Sequence, residues 1–408
     1  MGELITLSLS QESVPGDVEI SLPASKSITN RLLIMRALSG NAIQIENLST
    51  ADDSQILENA LRVSSGDVDL GLAGTALRFG MAWAAITPGT RVLKGKARLH
   101  ERPVKELVDA LRELGADIKY LEKEGFAPLE ITGKALNGGR LTIAGSRSSQ
   151  FTTAMMLIAP YCASPLHFKM DPAQVSMPYI DMTLRLMQKA GAVVEQEGRE
   201  IKISGKYQST VFQVEPDWSA ASYFYLWAMA LEKSTISLKN LVFDSVQGDK
   251  LAADVFAHYG MISHFANGNM RVAKKLIPDF RNEINCVGFP DLAQTFAVAA
   301  VIAQKPLKLT GLQTLRFKET DRIEALKNEL AKCGATCQAG SDYLDIISFQ
   351  KPAETPIIKT YDDHRMAMAF APLAAIFGEI KIENPDVVSK SFPNYWTEVA
   401  KLKAIVID

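Results

Sequence analysis

Cysteine is scarce in this chain, with four in 408 residues. So few exclude a disulfide framework and set a reduced, cytoplasmic location as the expectation. The five histidines, at positions 100, 167, 258, 264 and 364, fall at no metal-ligand spacing. His258 and His264 read as ordinary surface or core residues. Cys333 and Cys337 are four apart but straddle Gly334, where a helix should end, so they make a poor zinc or redox pair. Charge of one sign is also missing: 44 basic and 46 acidic residues leave a net charge of −2. Nothing global therefore advertises a nucleic-acid or membrane surface, although a local basic pocket is compatible with that balance. The chain has no GxxxxGK[ST] phosphate loop, no GxGxxG dinucleotide fingerprint and no GxSxG elbow. Its opening, MGELITLSLS, lacks the basic start and apolar run of a signal peptide. The Met-Gly-x-x-x-Thr spelling there matches a loose acylation pattern, yet the following residues alternate like a strand. The uncharged stretch from Gln150 to His167 holds Pro160 and Pro165 and reads as a buried helix and turn, not a membrane span.

What is present is ordinary in composition and unusual in pattern. Apolar residues make up 47% and charged residues 22%, typical of a soluble globular protein, and the length suggests two or three domains. Alanine-rich apolar segments recur six times: RLLIMRAL from Arg31, ALRFGMAWAAI from Ala76, TTAMMLIAPY from Thr152, AASYFYLWAMAL from Ala220, AQTFAVAAVIA from Ala293 and RMAMAFAPLAAIF from Arg365. Each is apolar nearly all round, as a buried helix must be. A strand-like run follows each, centred near Ile43, Val92, Leu166, Ile236, Leu307 and Ile380, at spacings of 49, 74, 70, 71 and 73 residues. A second, more amphipathic helix is expected to begin near Asp52, Pro103, Pro178, Gly248, Thr320 and Asn394. Several of these end in glycine before a strand, as at Gly115, Gly191 and Gly334, the expected left-handed cap. Alternating strands and helices make the chain α/β, and six units are too many for one core. Three plus three in two domains is the simplest partition, with Pro15-Gly16 and Pro216-Asp217 as plausible crossings.

Polar residues gather where the helices start. Ser25-Lys26-Ser27, Gly74-Thr75, Ser148-Ser149-Gln150, Asp217-Trp218-Ser219, Asp291 and Asp362-Asp363-His364-Arg365 stand at the six buried helices. Arg98 to Arg102, Ser176, Lys318 to Arg322 and Lys390-Ser391 stand at the second helices. Capping explains Ser, Thr and Asp there, and is the first reading for Asp217 and Thr320. It does not explain Lys26, Arg31, Arg78, Arg98, Lys318, Arg322, Arg365 and Lys390, because a cation at a helix N-terminus opposes the macrodipole. Exposed helix starts with gathered cations describe a site for phosphate and carboxylate anions.

The runs LPASKSITNR (22–31), AGTALR (73–78), ARLHERPV (97–104), SRSSQF (146–151), SMPYIDMTLRLM (176–187), RFKETDRIEAL (316–326), YDDHRMAMAF (361–370) and KSFPNYW (390–396) carry a family resemblance. In order and over nearly the whole length, the chain resembles the 5-enolpyruvylshikimate-3-phosphate synthases. The resemblance implies an α/β fold of two similar domains, each of three βαβαββ units (an inside-out α/β barrel), with six repeats and an active site in the interdomain cleft. One domain would be 20–216, the other 1–19 with 217–408. The implied reaction moves the enolpyruvyl group of phosphoenolpyruvate to the 5-hydroxyl of shikimate 3-phosphate by addition and elimination, releasing phosphate. No cofactor or metal is implied, nor any nucleic-acid or membrane partner, and a monomer is expected. Carried over, Lys26, Ser27, Arg31, Ser148, Ser149, Gln150, Ser176, Asp291 and Lys318 would bind shikimate 3-phosphate. Phosphoenolpyruvate would meet Lys26, Gly74, Arg98, Gln150, Arg322, Arg365 and Lys390. Asp291 looks like the base, with Glu319 and Lys26 as further proton-transfer candidates.

The chain departs from the family pattern at two points. Leu72 and Thr314 stand where asparagines are usual; a threonine hydroxyl can still hydrogen-bond and leucine cannot. Rival readings are weaker. The related UDP-N-acetylglucosamine enolpyruvyl transferases normally carry a reactive loop cysteine, and Lys96 to Pro103 contains none. A non-enzymatic repeat scaffold would need an exposed apolar surface and no convergent cations. RNA binding would need a basic stripe with interleaved aromatics.

Overall fold

The computed structural model describes residues 3–10, 16–143, 148–231, 234–275 and 277–408. Met1-Gly2 of the acylation pattern, Pro15 of the first expected crossing, and Ser146 and Arg147 of the SRSSQF run lie outside the described residues. The chain divides into a split unit, Met1–Ala24 with Glu215–Asp408, and a continuous unit, Ser25–Val214.

The six alanine-rich segments are helices: α1 (Lys26–Leu38), α2 (Gly74–Ile86) and α3 (Ser149–Ile158) in the continuous unit, α4 (Trp218–Ala230), α5 (Ala293–Ala303) and α6 (His364–Phe370) in the split unit. Within each unit the three pack on one another. Small residues such as Ala221, Ala297 and Ala367, all without solvent exposure, keep the side-chain layer between helices thin. Of α4, only Ser219 is not buried. Side-chain caps contribute about 1 kcal/mol each, whereas burying one Leu or Phe contributes about 1.5–3 kcal/mol. Burial therefore holds these helices, and their starts are left for other work.

Each helix leads into a strand at the expected place: Ile43–Glu46, Gly89–Lys94, Leu166–Met170, Thr235–Lys239, Leu307–Thr310 and Glu379–Glu383. Five of these strands sit in four-stranded sheets, each between one parallel and one antiparallel neighbour. For Gly89–Lys94, Leu166–Met170 and Leu307–Thr310 the parallel neighbour is the strand before the helix and the antiparallel one a later strand. The Ile43–Glu46 strand instead pairs only with Thr210–Gln213, in a two-stranded sheet. The helix Asp52–Ala60 runs on to the next unit's strand Gly66–Asp69 with no antiparallel hairpin between them, which is why the first spacing is short. In the split unit, two sheets are completed by strands from the chain's beginning. Val18–Ile20 pairs with Thr235–Lys239, and Leu4–Leu9 lies between Glu379–Glu383 and Ile405–Ile407.

The second helices follow at Asp52–Ala60, Lys105–Glu113, Met177–Lys189, Arg322–Lys332 and Tyr395–Ala400, with a 3₁₀ turn and short helix over Gly248–Ala257. Gly334 ends one of them at φ +83°, and a Cβ there would fall 1.9 Å from the Gln350 carbonyl oxygen, so no other residue fits. Thr320 is not a cap: Asp321 accepts the backbone N–H groups of Ile323 and Glu324 at 3.2 and 3.3 Å. Cys333 and Cys337 are free thiols on either side of Gly334. Among the described residues no helix is long and apolar enough to cross a membrane.

Candidate active site

In the continuous unit, the starts of α1, α2 and α3 carry the expected polar residues. The Lys26 ammonium donates to Asp53 at 3.0 Å, and Asp53 lies in the first turn of the Asp52–Ala60 helix. Arg31 is buried, and its guanidinium donates to Thr183 Oγ1, the Ser27 carbonyl and the Tyr179 carbonyl at 2.8, 2.8 and 3.1 Å. Burial lowers its pKa to about 10, which still leaves it charged at neutral pH. Ser148 caps α3 through the Gln150 N–H, and the Gln150 amide donates to Thr75 Oγ1 at 3.1 Å, tying the start of α3 to that of α2. Ser149 is the buried first residue of α3. Ser176 precedes the Met177 helix in the left-handed region, at φ +56°, a strained conformation for serine.

Gly74 opens α2 without a capping side chain, because Ala73 precedes it. A Cβ at Gly74 would lie 2.2 Å from Arg102 Nη1 and 2.5 Å from Arg78 Nη1. Two buried guanidinium groups therefore cradle this helix start, and only hydrogen at Gly74 leaves them room. Arg102, 5% exposed, was absent from the residues expected to bind a ligand. Arg98, which was among them, has a side chain 36% exposed and pairs with Glu101 at 2.8 Å in the one-turn helix Ala97–His100. Helical spacing alone cannot tell these two arginines apart. Burial beside a capless helix start is the distinguishing signal.

In the split unit, one carboxylate organises the cations. Asp291 sits in the 3₁₀ turn that leads into α5. Its Oδ1 accepts from Lys318 Nζ at 3.2 Å and Arg322 Nη1 at 2.9 Å, and its Oδ2 from Arg365 Nη2 at 3.1 Å. Burial would push this carboxyl up, but Arg365, Lys318 and Arg322 together outweigh it and hold it well below the usual carboxylate range. Arg322 is shared further: Nε donates to Asp363 Oδ2 at 2.6 Å and Nη2 to Glu319 Oε2 at 2.8 Å. Burial lowers the Arg322 pKa, and Asp363, Glu319 and Asp291 more than restore it. Asp363 also caps α6 by accepting the Arg365 N–H at 3.0 Å. Tyr361 and Asp362, both left-handed at φ +55° and +54°, bend the chain into that cap. The Asp362 carbonyl receives Lys390 Nζ at 2.7 Å.

Three carboxylates and three buried or half-buried cations thus balance around Asp291, with Lys390 beside them. Arriving anions compete with protein carboxylates for the same N–H donors. Asp217 has the structural part expected of it, capping α4 through the Ala220 N–H at 2.9 Å. Thr314 is buried, and its hydroxyl has no hydrogen-bond partner among the described residues. Among the described residues no group of three or more His, Cys, Asp and Glu is placed to hold a metal.

Comparison with known proteins gives a single answer. The EPSP synthase family, 3-phosphoshikimate 1-carboxyvinyltransferase, matches over residues 58–399. A curated 3-phosphoshikimate 1-carboxyvinyltransferase of Bacteroides fragilis is 42% identical over 397 residues, covering 95% of this chain and 96% of that one. The protein of that name from Sulfurovum sp. is 38% identical over 413 residues, covering 93% and 95%. Among solved structures, an EPSP synthase from Acinetobacter baumannii superposes with a TM-score of 0.75 at 21% identity, covering 99% of this chain and 100% of that one, a likeness of fold.

Proposed function

We infer the division of labour in this site from one premise: the chain belongs to the EPSP synthase family. The enzyme transfers the enolpyruvyl group of phosphoenolpyruvate to the 5-hydroxyl of shikimate 3-phosphate in the shikimate pathway and releases phosphate. In our reading, shikimate 3-phosphate is held by Lys26, Ser27, Arg31, Ser148, Ser149, Gln150 and Ser176, with Asp291 and Lys318. Phosphoenolpyruvate is held by Lys26, Gly74, Arg98, Gln150, Arg322, Arg365 and Lys390. The observation that carries the reading is the gathering of Lys318, Arg322 and Arg365 on Asp291.

Addition requires the 5-oxygen to bond C2 of the donor while its proton leaves and C3 gains one; elimination then returns the C3 proton and expels phosphate. Asp291 accepts the hydroxyl proton, and Glu319 or Lys26 serves the methylene carbon. The cations stabilise the charge on the departing phosphate. A phosphate-release assay with phosphoenolpyruvate and either acceptor tests the activity. Release with UDP-N-acetylglucosamine and none with shikimate 3-phosphate would refute it.

We add Arg102 to the donor set beside Arg98, because its guanidinium lies against Gly74. Arg98→Ala and Arg102→Lys should each raise the KM for phosphoenolpyruvate about tenfold or more, the second through loss of the planar fork. A donor KM within about threefold of the parent's in steady-state kinetics would remove that arginine from the donor set.

Gly74→Ala makes a related test. The clashing atoms are the far ends of the Arg102 and Arg78 side chains, which can swing aside. Stability should therefore change by less than about 1 kcal/mol. The displaced guanidinium groups should raise the donor KM about tenfold with little change in the acceptor KM. Equal effects on both substrates would count against a donor-specific cradle.

A further inference from the structure

Arg365 is held by more than the acidic residue it faces. Its Nη2 donates to Asp291 Oδ2 at 3.1 Å and reaches Ser219 Oγ at 3.5 Å, while Nη1 donates to the phenol oxygen of Tyr223 at 3.1 Å. Both Ser219 and Tyr223 belong to α4, one turn apart, and Ser219 donates onward to Asp249. Tyr223 is itself fixed. It is buried, its ring meets the Tyr395 ring edge-on at a centroid distance of 6.3 Å, and Tyr395 is pinned by Trp227 Nε1 at 3.1 Å and the Met368 carbonyl at 2.9 Å. The aromatic group that steadies Tyr223 thus draws on α4, α6 and the Tyr395–Ala400 helix.

We propose that Tyr223 is a positioning residue for the donor, holding the Arg365 guanidinium in one orientation so that its fork stays aimed at an anion of phosphoenolpyruvate throughout the reaction. This rests on the reading of Arg365 as a donor ligand given above. The physical need comes from Asp291. A base that takes up a proton loses its charge, and its grip on Arg365 slackens at the moment when the donor must be held. Tyr223 does not share that weakness: burial pushes its phenol up to about 12, although Arg365 pulls the other way, so it stays neutral across the working range. A neutral anchor gives the fork the same partner before and after proton transfer. Because the anchored atom is Nη1 and the base holds Nη2, the two contacts fix the plane of the guanidinium between them.

Tyr223→Phe removes one oxygen and keeps the ring in its packing. The expected result is a rise of about tenfold in the KM for phosphoenolpyruvate, the scale of one hydrogen bond to a charged group. The KM for shikimate 3-phosphate and the thermal midpoint should stay close to the parent's. Arg365→Lys and the double variant Tyr223→Phe/Arg365→Lys complete the test: once the fork is gone, losing the phenol should add less than about twofold. If Arg365→Lys raises the donor KM and Tyr223→Phe does not, the positioning role is overturned while the donor site stands. If Arg365→Lys leaves the donor KM unchanged, the assignment of Arg365 itself falls. Equal losses for both substrates, or fully additive losses in the double variant, would mark Tyr223 as packing only and overturn the proposal.

Discussion

Asp291→Asn is expected to lower turnover about 100-fold or more, the scale of a lost general base, while shikimate 3-phosphate binds as well as before or better. The sign of the binding effect follows from the charges. Asp291 neutralises Lys318, Arg322 and Arg365, and an amide in its place leaves all three undercompensated toward an anionic ligand. Isothermal titration of the acceptor and steady-state kinetics check the two halves separately. Near-parent turnover in the variant would remove Asp291 from the base role. The same three cations keep the carboxyl well below its ordinary value of 3.8, so in the free enzyme it is ionised at neutral pH but weakly basic. On the reading of Asp291 as the base, a substrate anion that draws those cations toward itself would restore its basicity and couple base strength to a filled site. A depressed carboxyl stabilises the fold fully above its ordinary pKa of 3.8, and that contribution is lost as pH falls toward the folded value. The stability difference between parent and Asp291→Asn should therefore shrink in urea melts below about pH 4 and stay constant above about pH 5.

Arg322→Met should produce the largest loss of stability of any single change in the site, about 3–5 kcal/mol, together with loss of activity. Arg322 holds Asp291, Glu319 and Asp363 at once, and its side chain is only 2% exposed. Removing it strands Asp363, which no solvent reaches, and leaves the partly exposed Asp291 and Glu319 short of a cation. Lys318→Met removes a cation that is 19% exposed and leaves Asp291 its two arginine partners, so it should cost less, about 1 kcal/mol. Urea unfolding of both variants at neutral pH decides the ranking, and a loss below about 1 kcal/mol for Arg322→Met would show that Asp363 finds another partner. The deficit of Arg322→Met should narrow on acidification, because protonated carboxyls no longer need the missing cation.

Much of the site could be read from the chain. The cations Lys26, Lys318, Arg322, Arg365 and Lys390 are conspicuous because helix starts disfavour positive charge, and the structure gives each of them a carboxylate or carbonyl partner. Arg98 and Arg102 show where that reasoning stops. They are one turn apart in sequence, yet one pairs with Glu101 near solvent and the other packs against Gly74. The choice depends on a helix start 24 to 28 residues earlier in the chain, which no local pattern encodes. Tyr223 was hidden for a different reason. In a helix buried on every side, an aromatic reads as core, and only its contact with Arg365, 142 residues away, separates it from its neighbours.

Six buried helices, the strand that follows each and the polar character of the helix starts are all encoded locally in the chain. These rest on burial and backbone geometry within a dozen residues, so composition and periodicity carry them. Tertiary structure alone decided how strands from the beginning of the chain complete two sheets of the split unit, and why the Ile43 strand has a single partner. It alone decided which carboxylate gathers which cations. Lys318, Arg322 and Arg365 meet Asp291 across 27, 31 and 74 residues of sequence. Ion pairs are fixed by position in space, and a carboxylate surrounded by several cations is assigned its partners only when packing has excluded water and set the distances.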